Sequence, residues 1–334
     1  MSAENSMGDN SHRVGEPGVS VILTVLNEAA HLREAIKAIL DSDYLGDLEI
    51  AISVGPSKDR TLEIAHELAA QDSRIKVIEN PSGRTPDGLN AAISATTNEF
   101  IVRVDGHSEI QKDYIREAIR ILEETGAANV GGIMAAEGIT AFQRAVARAM
   151  RSPIGVGSSR FHTGGEAGSV DTVYLGVFRR SAIESVGGYD PRFTRAQDWE
   201  LNYRLRKAGG LVWFDPRLQV TYRPRPNALS LARQYFEYGR WRAAVSKHHK
   251  TTNFRYLAPP LNILVQALAI LAAIFVQPLF LLIPLAYLLI LKIAGIILGK
   301  SWDERVRLPL VLIIMHFSWG FGFITSPRAL ISDS

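Results

Sequence analysis

A chain of 334 residues has room for one large domain and a smaller part, and its 37 basic against 34 acidic side chains leave a formal charge of only +3. No cysteine is present, which excludes a disulfide framework, thiolate metal sites and thiol catalysis, and favours a site facing the cytoplasm. The small net charge decides little; where charge and apolar residues fall along the chain says more.

Residues 1–17 are polar, rich in Ser, Asn and Gly, and lack the apolar core of a signal peptide; a disordered tail and no secretion of the following domain are expected. From residue 19 short apolar runs alternate with helical periodicities. Strands are predicted over 19–25, 48–54, 75–78, 100–104 and 128–134, with helices over 28–40, 59–70, 87–95 and about 112–125. Repeated β-α units imply a parallel sheet covered on both faces, with ligands bound at the carboxyl ends of its strands. Asn27, Asp59 and Asp105 should therefore converge on one edge. The Gly- and Ser-rich stretch 152–168 reads as a mobile loop and a candidate lid. Short strands follow over 172–178, 212–214 and 219–222, with a helix over about 199–207.

Beyond residue 228 the character changes. Arg233, Arg240, Arg242, Lys247 and Lys250 are interleaved with Tyr235, Phe236, Tyr238 and Trp241, which suits a helix lying at a membrane surface within 229–256. The other reading is a solvated helix that packs its aromatics on the core. Residues 257–326 are dominated by Leu, Ile, Val, Ala and Phe, and about three membrane spans are expected, over 261–276, 279–298 and 308–325. A tail is expected over 327–334. Basic residues crowd before the first span and return as Lys292, Lys300, Arg305 and Arg307, while the first connection has none. This asymmetry predicts a multi-pass protein of the cell membrane, with the domain over 18–228 on the cytoplasmic side.

The segment Arg103-Val104-Asp105-Gly106-His107 directly follows the apolar run Phe100-Ile101-Val102. An acid and an imidazole two apart at a strand end can hold Mg2+ or Mn2+ against a diphosphate. The alternative is a plain turn with a surface histidine.

Three stretches occur in the order and spacing of family 2 glycosyltransferases: Ser20-Val21-Ile22-Leu23-Thr24-Val25-Leu26-Asn27-Glu28, Asp105-Gly106-His107 and Gln197-Asp198-Trp199-Glu200-Leu201. Gly88-Leu89-Asn90-Ala91-Ala92, Gly187-Gly188-Tyr189-Asp190 and Tyr238-Gly239-Arg240-Trp241 strengthen the likeness. The chain resembles the membrane-bound branch of that family similar to succinoglycan-type glucosyltransferases, well over 19–250 and loosely in the spans. The resemblance implies an α/β fold of the GT-A type, Rossmann-like with a mostly parallel sheet, followed by C-terminal transmembrane helices. It implies an inverting transfer from a nucleotide sugar.

By the same resemblance, Asp105 and His107 occupy the aspartate-x-aspartate position, and Asp198 that of the general base. Inversion needs a carboxylate within hydrogen-bond reach of the acceptor hydroxyl, opposite the departing diphosphate. Gln197 stands where the family commonly has Glu, and Asp198 could also serve as a helix N-cap. Relatives carry a pair of aspartates where this chain has Ser53-Val54-Gly55, so the base-reading carboxylate is missing; Asp59 reads better as a helix cap. Thr24, Asn27, Glu28 and Asn90 belong to the expected donor pocket, and Arg84 is either a diphosphate contact or a solvated turn residue. Arg240 is expected to face the diphosphate or acceptor and Trp241 to anchor at the lipid interface, whereas Gln234 lies too far upstream to complete the Gln-x-x-Arg-Trp element of processive synthases. The expected partners are a nucleotide-sugar donor, a lipid-linked saccharide acceptor and the membrane, with no nucleic acid. The expected cofactor is Mg2+ or Mn2+. A polyprenyl-phosphate sugar synthase and a non-catalytic membrane scaffold of the same fold are the alternatives.

Overall fold

A computed structural model describes residues 15–327 and 330–331. Most of the expected N-terminal tail (1–14) and positions 328–329 and 332–334 of the C-terminal one lie outside the described residues. The inner end of the first tail is tied down, because the Glu16 carboxylate accepts from the Leu45 N–H at 2.7 Å and the Pro17 carbonyl accepts from the Tyr44 hydroxyl.

The amino-terminal half alternates as its pattern predicts: β1 (Val19–Val25), α1 (Leu32–Leu40), β2 (Leu48–Val54), α2 (Thr61–Gln71), β3 (Ile75–Glu79), α3 (Thr85–Ser94) and β4 (Phe100–Arg103). These strands lie parallel in the order β3-β2-β1-β4. Every residue of the central β1 except Thr24 is buried, as expected for a strand covered on both faces. Helix α1 buries Leu32, Ala35, Ile36 and Ile39, one stripe at helical spacing. The first two helices begin at Leu32 and Thr61 rather than at 28 and 59, because the preceding residues are engaged in the site described below.

The second half comprises β5 (Glu109–Ile110), α4 (Tyr114–Thr125), β6 (Asn129–Ala136), α5 (Ala141–Met150), α6 (Pro153–Val156), α7 (Arg160–Thr163), β7 (Gly168–Ser169), β8 (Tyr174–Arg179), α8 (Arg180–Ser185), α9 (Gln197–Lys207) and β9 (Val212–Tyr222). The nine-stranded sheet has the order β3-β2-β1-β4-β8-β6-β9-β5, with β7 beside β9. Strands β1 to β4, β6 and β9 run one way, and β5, β7 and β8 the other. Two predicted strands, 212–214 and 219–222, are one strand here, with a register shift opposite Gly131 to Ile133 absorbing the Asp215-Pro216 irregularity.

The expected mobile loop at 152–168 is instead two one-turn helices. Ser152 caps α6, its hydroxyl accepting from the Gly155 N–H at 3.2 Å, and the Ile154 carbonyl lies 2.7 Å from His316 Nε2. Helix α5 was not anticipated. Its signal was the reciprocal cap in which Thr140 Oγ1 accepts from the Gln143 N–H while the Gln143 side chain accepts from the Thr140 N–H.

The remainder is helical: α10 (Ala228–His248), α11 (Phe254–Phe275), a 3-10 turn (Pro278–Leu281), α12 (Leu282–Leu298) and α13 (Trp302–Ile324). The segments Phe254–Phe275, Pro278–Leu298 and Trp302–Ile324 are each long and apolar enough to cross a membrane. The third begins at Trp302 rather than 308, because the Ser301 hydroxyl caps it by accepting from the Glu304 N–H. Helices α10 and α13 touch backbone to backbone. A Cβ on Gly239 would lie 1.9 Å from the Trp319 carbonyl oxygen, and one on Gly322 would lie 2.0 Å from that of Phe236. Leu231, Tyr235, Trp241 and Val245 of α10 are buried, whereas Tyr238 is 41% exposed, so the helix turns two of its four aromatics inward. Trp241 in particular is no lipid-interface anchor: it is enclosed with Phe193, Trp199 and Val245.

Candidate active site

At the carboxyl edge of the parallel strands two loops are clasped together. Asn27, held at φ 57°, accepts through Oδ1 from the Lys58 N–H at 2.8 Å, and its own N–H donates to Ser57 Oγ at 3.0 Å. The Glu28 N–H donates to Thr61 Oγ1 at 2.8 Å and the Ala29 N–H to Asp59 Oδ2 at 3.1 Å. Asp59 Oδ1 accepts from the Thr61 N–H at 3.1 Å, so this carboxylate joins the start of α2 to the end of β1. Asn27, Asp59 and Asp105 do share one edge. Thr24 supports it from beneath: a Cβ on Gly88 would lie 2.5 Å from Thr24 Oγ1, so α3 sits directly on this hydroxyl.

The Asp105-Gly106-His107 turn reaches the same edge because Gly106 has no side chain. A Cβ there would come within 2.7 Å of Val25 and 3.3 Å of Glu28. His107 Nδ1 thereby lies 2.9 Å from Glu28 Oε1. The bond to Glu28 holds the imidazole above its ordinary pKa, although burial and the nearby Arg225 charge oppose this.

Asp105 faces inward as well. Arg103, buried at the end of β4, donates through Nη2 to Asp105 Oδ1 at 3.1 Å and pairs through Nη1 with Asp198 Oδ1. One guanidinium thus links the candidate metal ligand and the candidate base. Burial works against the Arg103 charge, but the Asp105 carboxylate raises its pKa above the usual guanidinium value. Asp198 is not a helix cap. The cap position belongs to Ala196, whose φ of 58° turns Gln197 and Asp198 into the first turn of α9. Arg103 was missed from the sequence, although a charged residue inside the run Phe100-Ile101-Val102-Arg103-Val104 was its signal.

Other predicted residues stand apart from this group, with no hydrogen bond or ion pair to Arg103, Asp105 or Asp198 among the described residues. Arg84 is paired with Asp87 at 2.7 Å in an exposed turn. Both ends of the Asn90 amide are engaged by one backbone, Nδ2 donating to the Tyr189 carbonyl at 2.7 Å and Oδ1 accepting from its N–H at 2.8 Å. Arg240 pairs with Glu237 at 2.9 Å, and its carbonyl accepts from Ser326 Oγ at 2.8 Å. Gln234, one turn before Tyr238, donates to the hydroxyls of Tyr222 at 2.8 Å and Tyr238 at 2.9 Å.

No group of three or more His, Cys, Asp or Glu side chains suited to a metal ion occurs among the described residues. Asp105 and His107 provide two donors on one turn. That set fits an ion whose remaining positions are filled by diphosphate oxygens and water.

Parallel strands ending in this carboxylate-rich edge, with antiparallel β8 inserted beside β4, make the sheet of a GT-A glycosyltransferase. The mannosyltransferase PcManGT from Pyrobaculum calidifontis, in complex with GDP-Man and Mn2+, shares the fold with a TM-score of 0.59 at 18% identity, over 90% of this chain and 86% of that one. The family model described as Glycosyl transferase family 2 matches residues 20–187, and the chain belongs to that family. It is 33% identical over 242 residues to the succinoglycan biosynthesis protein ExoA of Rhizobium meliloti (strain 1021), covering 72% of this chain and 73% of that protein. Across 316 residues it is 25% identical to the dolichyl N-acetyl-alpha-D-glucosaminyl phosphate 3-beta-D-2,3-diacetamido-2,3-dideoxy-beta-D-glucuronosyltransferase of Methanococcus voltae, covering 91% of this chain and 95% of that protein. The protein is therefore a glycosyltransferase.

Proposed function

We propose that the enzyme moves one sugar, with inversion, from a nucleotide-sugar donor to a lipid-linked saccharide at the cytoplasmic face of the cell membrane. The product would serve polysaccharide or glycolipid synthesis. The observation that carries this reading is the Asp105–Arg103–Asp198 linkage, which brings the candidate base and the Asp105-Gly106-His107 turn to one sheet edge.

In this reading the nucleobase and ribose lie against the clasped loops bearing Asn27 and Glu28. Backbone groups or other side chains read the base, since Val54 and Gly55 offer no carboxylate. A divalent cation, Mn2+ or Mg2+, held by Asp105 and His107 would neutralise charge on the departing diphosphate. Asp198 takes the proton of the acceptor hydroxyl as its oxygen bonds to the anomeric carbon and the carbon–diphosphate bond breaks on the opposite face. Arg103 fixes the direction of the Asp198 carboxylate. Thr24 and Asn90 support the donor pocket from behind, and Arg84 reaches the diphosphate only by releasing Asp87. Gln197, beside the base, meets the acceptor. Arg240 and Trp241 back the acceptor side through α10, Trp241 by its packing on Trp199.

The lipid-linked acceptor is supported by three apolar helices, the last of which packs on α10 and α5, and by the Methanococcus relative, whose name specifies a dolichyl-linked sugar phosphate. The cytoplasmic orientation is supported by the basic residues flanking the apolar segments. The test is nucleotide release from a panel of UDP-, GDP- and TDP-sugars by detergent-purified protein with native lipid extract, with and without Mn2+ or Mg2+. Release that needs one donor and the extract, giving a glycoside of inverted anomeric configuration by NMR, is the expected result. A sugar-monophosphate lipid as product, or retained configuration, would replace the proposal.

A further inference from the structure

Trp199, the residue after the proposed base, begins a stack that leads away from the catalytic edge to the first apolar helix. The Arg242 guanidinium lies 4.8 Å from the Trp199 ring centroid and 4.5 Å from that of Tyr256. Arg255 lies 4.8 Å from the same Tyr256 ring. Rings and cations are therefore in contact from α9 through α10 to the first turn of α11.

The two arginines differ in their partners. Arg255 has a counter-ion, donating to Asp171 Oδ2 at 2.5 Å and to the Tyr256 hydroxyl at 2.7 Å. Arg242 forms no ion pair among the described residues, and its Nη1 is shut off from solvent without a hydrogen-bond partner. The neighbouring Trp199 Nε1 is in the same condition. Burial also pulls the Arg242 guanidinium below its ordinary pKa, with the Arg255 charge acting in the same direction and Tyr256 and Asp171 opposing it. A buried donor left unmatched costs about 1–3 kcal/mol, and more when it is charged. Both orphans are donors, so the complement that would satisfy them is an acceptor-rich anion. Its position beside the start of α11, the first membrane-length helix, is where the phosphate of a lipid would lie.

We propose that Arg242 and the Trp199 indole N–H bind the phosphate or diphosphate of the lipid-linked acceptor. Held there, the acceptor stands at a fixed depth while its saccharide extends toward Asp198. This rests on the transferase reading above and assigns the anchor of its acceptor.

The test uses the full-length protein in detergent, titrated with farnesyl diphosphate and with farnesol by microscale thermophoresis, with phosphatidylglycerol vesicles as competitor. Wild type is expected to bind the diphosphate at least about tenfold more tightly than the alcohol, and Arg242→Gln to lose about tenfold of that affinity. Trp199→Phe keeps an aromatic ring under the guanidinium and removes one N–H, so a loss of about threefold is expected; it carries the test alone if Arg242→Gln does not fold. Equal affinity in wild type and the folded variants would overturn the proposal. So would displacement by phosphatidylglycerol as effective as by unlabelled farnesyl diphosphate, which would mark a general headgroup site. The titration needs neither donor nor turnover, so an absence of sugar transfer would count against the proposed activity and leave this anion site standing.

Discussion

The guanidinium of Arg103, 5% exposed, is paired with the carboxylate of Asp198, 95 positions later in the chain. This bond joins the end of β4 to the start of α9, and the same guanidinium holds Asp105. Removing it leaves two carboxylates facing each other without the cation between them. Breaking such a buried pair costs about 3 kcal/mol. Arg103→Met is therefore expected to lower the melting temperature by several degrees and nucleotide release by about 100-fold, read by thermal unfolding and by initial rates. Wild-type values for both would show that the linkage positions nothing.

His107 and Glu28 form the second relationship at this edge. His107→Ala removes the imidazole from the proposed diphosphate side, so about tenfold weaker donor binding or a higher divalent-ion requirement is expected. Glu28 raises the His107 pKa, so the contribution of this pair to stability is complete below the histidine's unfolded pKa and is lost as pH rises through the higher folded value. Titration of the imidazole by NMR in wild type and Glu28→Gln checks the direction; an unchanged midpoint would contradict it.

Glu49 makes the opposite sign testable at the far end of the sheet. Burial disfavours its charge, but hydrogen bonds from the Thr97 N–H, Lys76, the Asn98 N–H and Ser20 overcome this and hold the carboxyl at about 2. A depressed folded pKa gives stability that is present above the ordinary value of 4.5 and lost as pH falls through about 2. Glu49→Gln should cost about 2 kcal/mol at neutral pH and flatten the acid limb of stability against pH. An acid limb identical to wild type would assign it to other carboxylates.

Gly322 sets the contact between the catalytic domain and the apolar helices. Gly322→Val places methyl groups against the Phe236 carbonyl, where even a Cβ would sit at 2.0 Å, so α13 must move off α10. The expected cost is about 3 kcal/mol, seen as a lower melting temperature and faster proteolysis between the domain and the spans. Unchanged proteolysis would mean that these helices are not packed in this way.

The β1 to β4 alternation and the three apolar segments were legible because each rests on a local signal, a buried run of β-branched residues or about 20 apolar positions. What escaped depends on partners distant in sequence. Arg103 is an ordinary charged residue until α9 supplies Asp198, and Trp241 looks like an interface aromatic until Phe193 and Trp199 enclose it. The stretch at 152–168 reads as a loop because its glycines are visible locally and its contact with His316 is not. The backbone contact of α10 with α13 escaped too, because Gly239 and Gly322 acquire their close neighbours only in the folded chain.

The most direct measurement is sugar transfer by Asp198→Asn beside wild type, with donor affinity measured on the same preparations. Transfer is expected to fall by at least about 1,000-fold and donor affinity to stay within about threefold, because a general base acts only as the acceptor proton leaves. Transfer close to the wild-type rate in a folded variant that binds donor would contradict this and remove Asp198 from the chemistry.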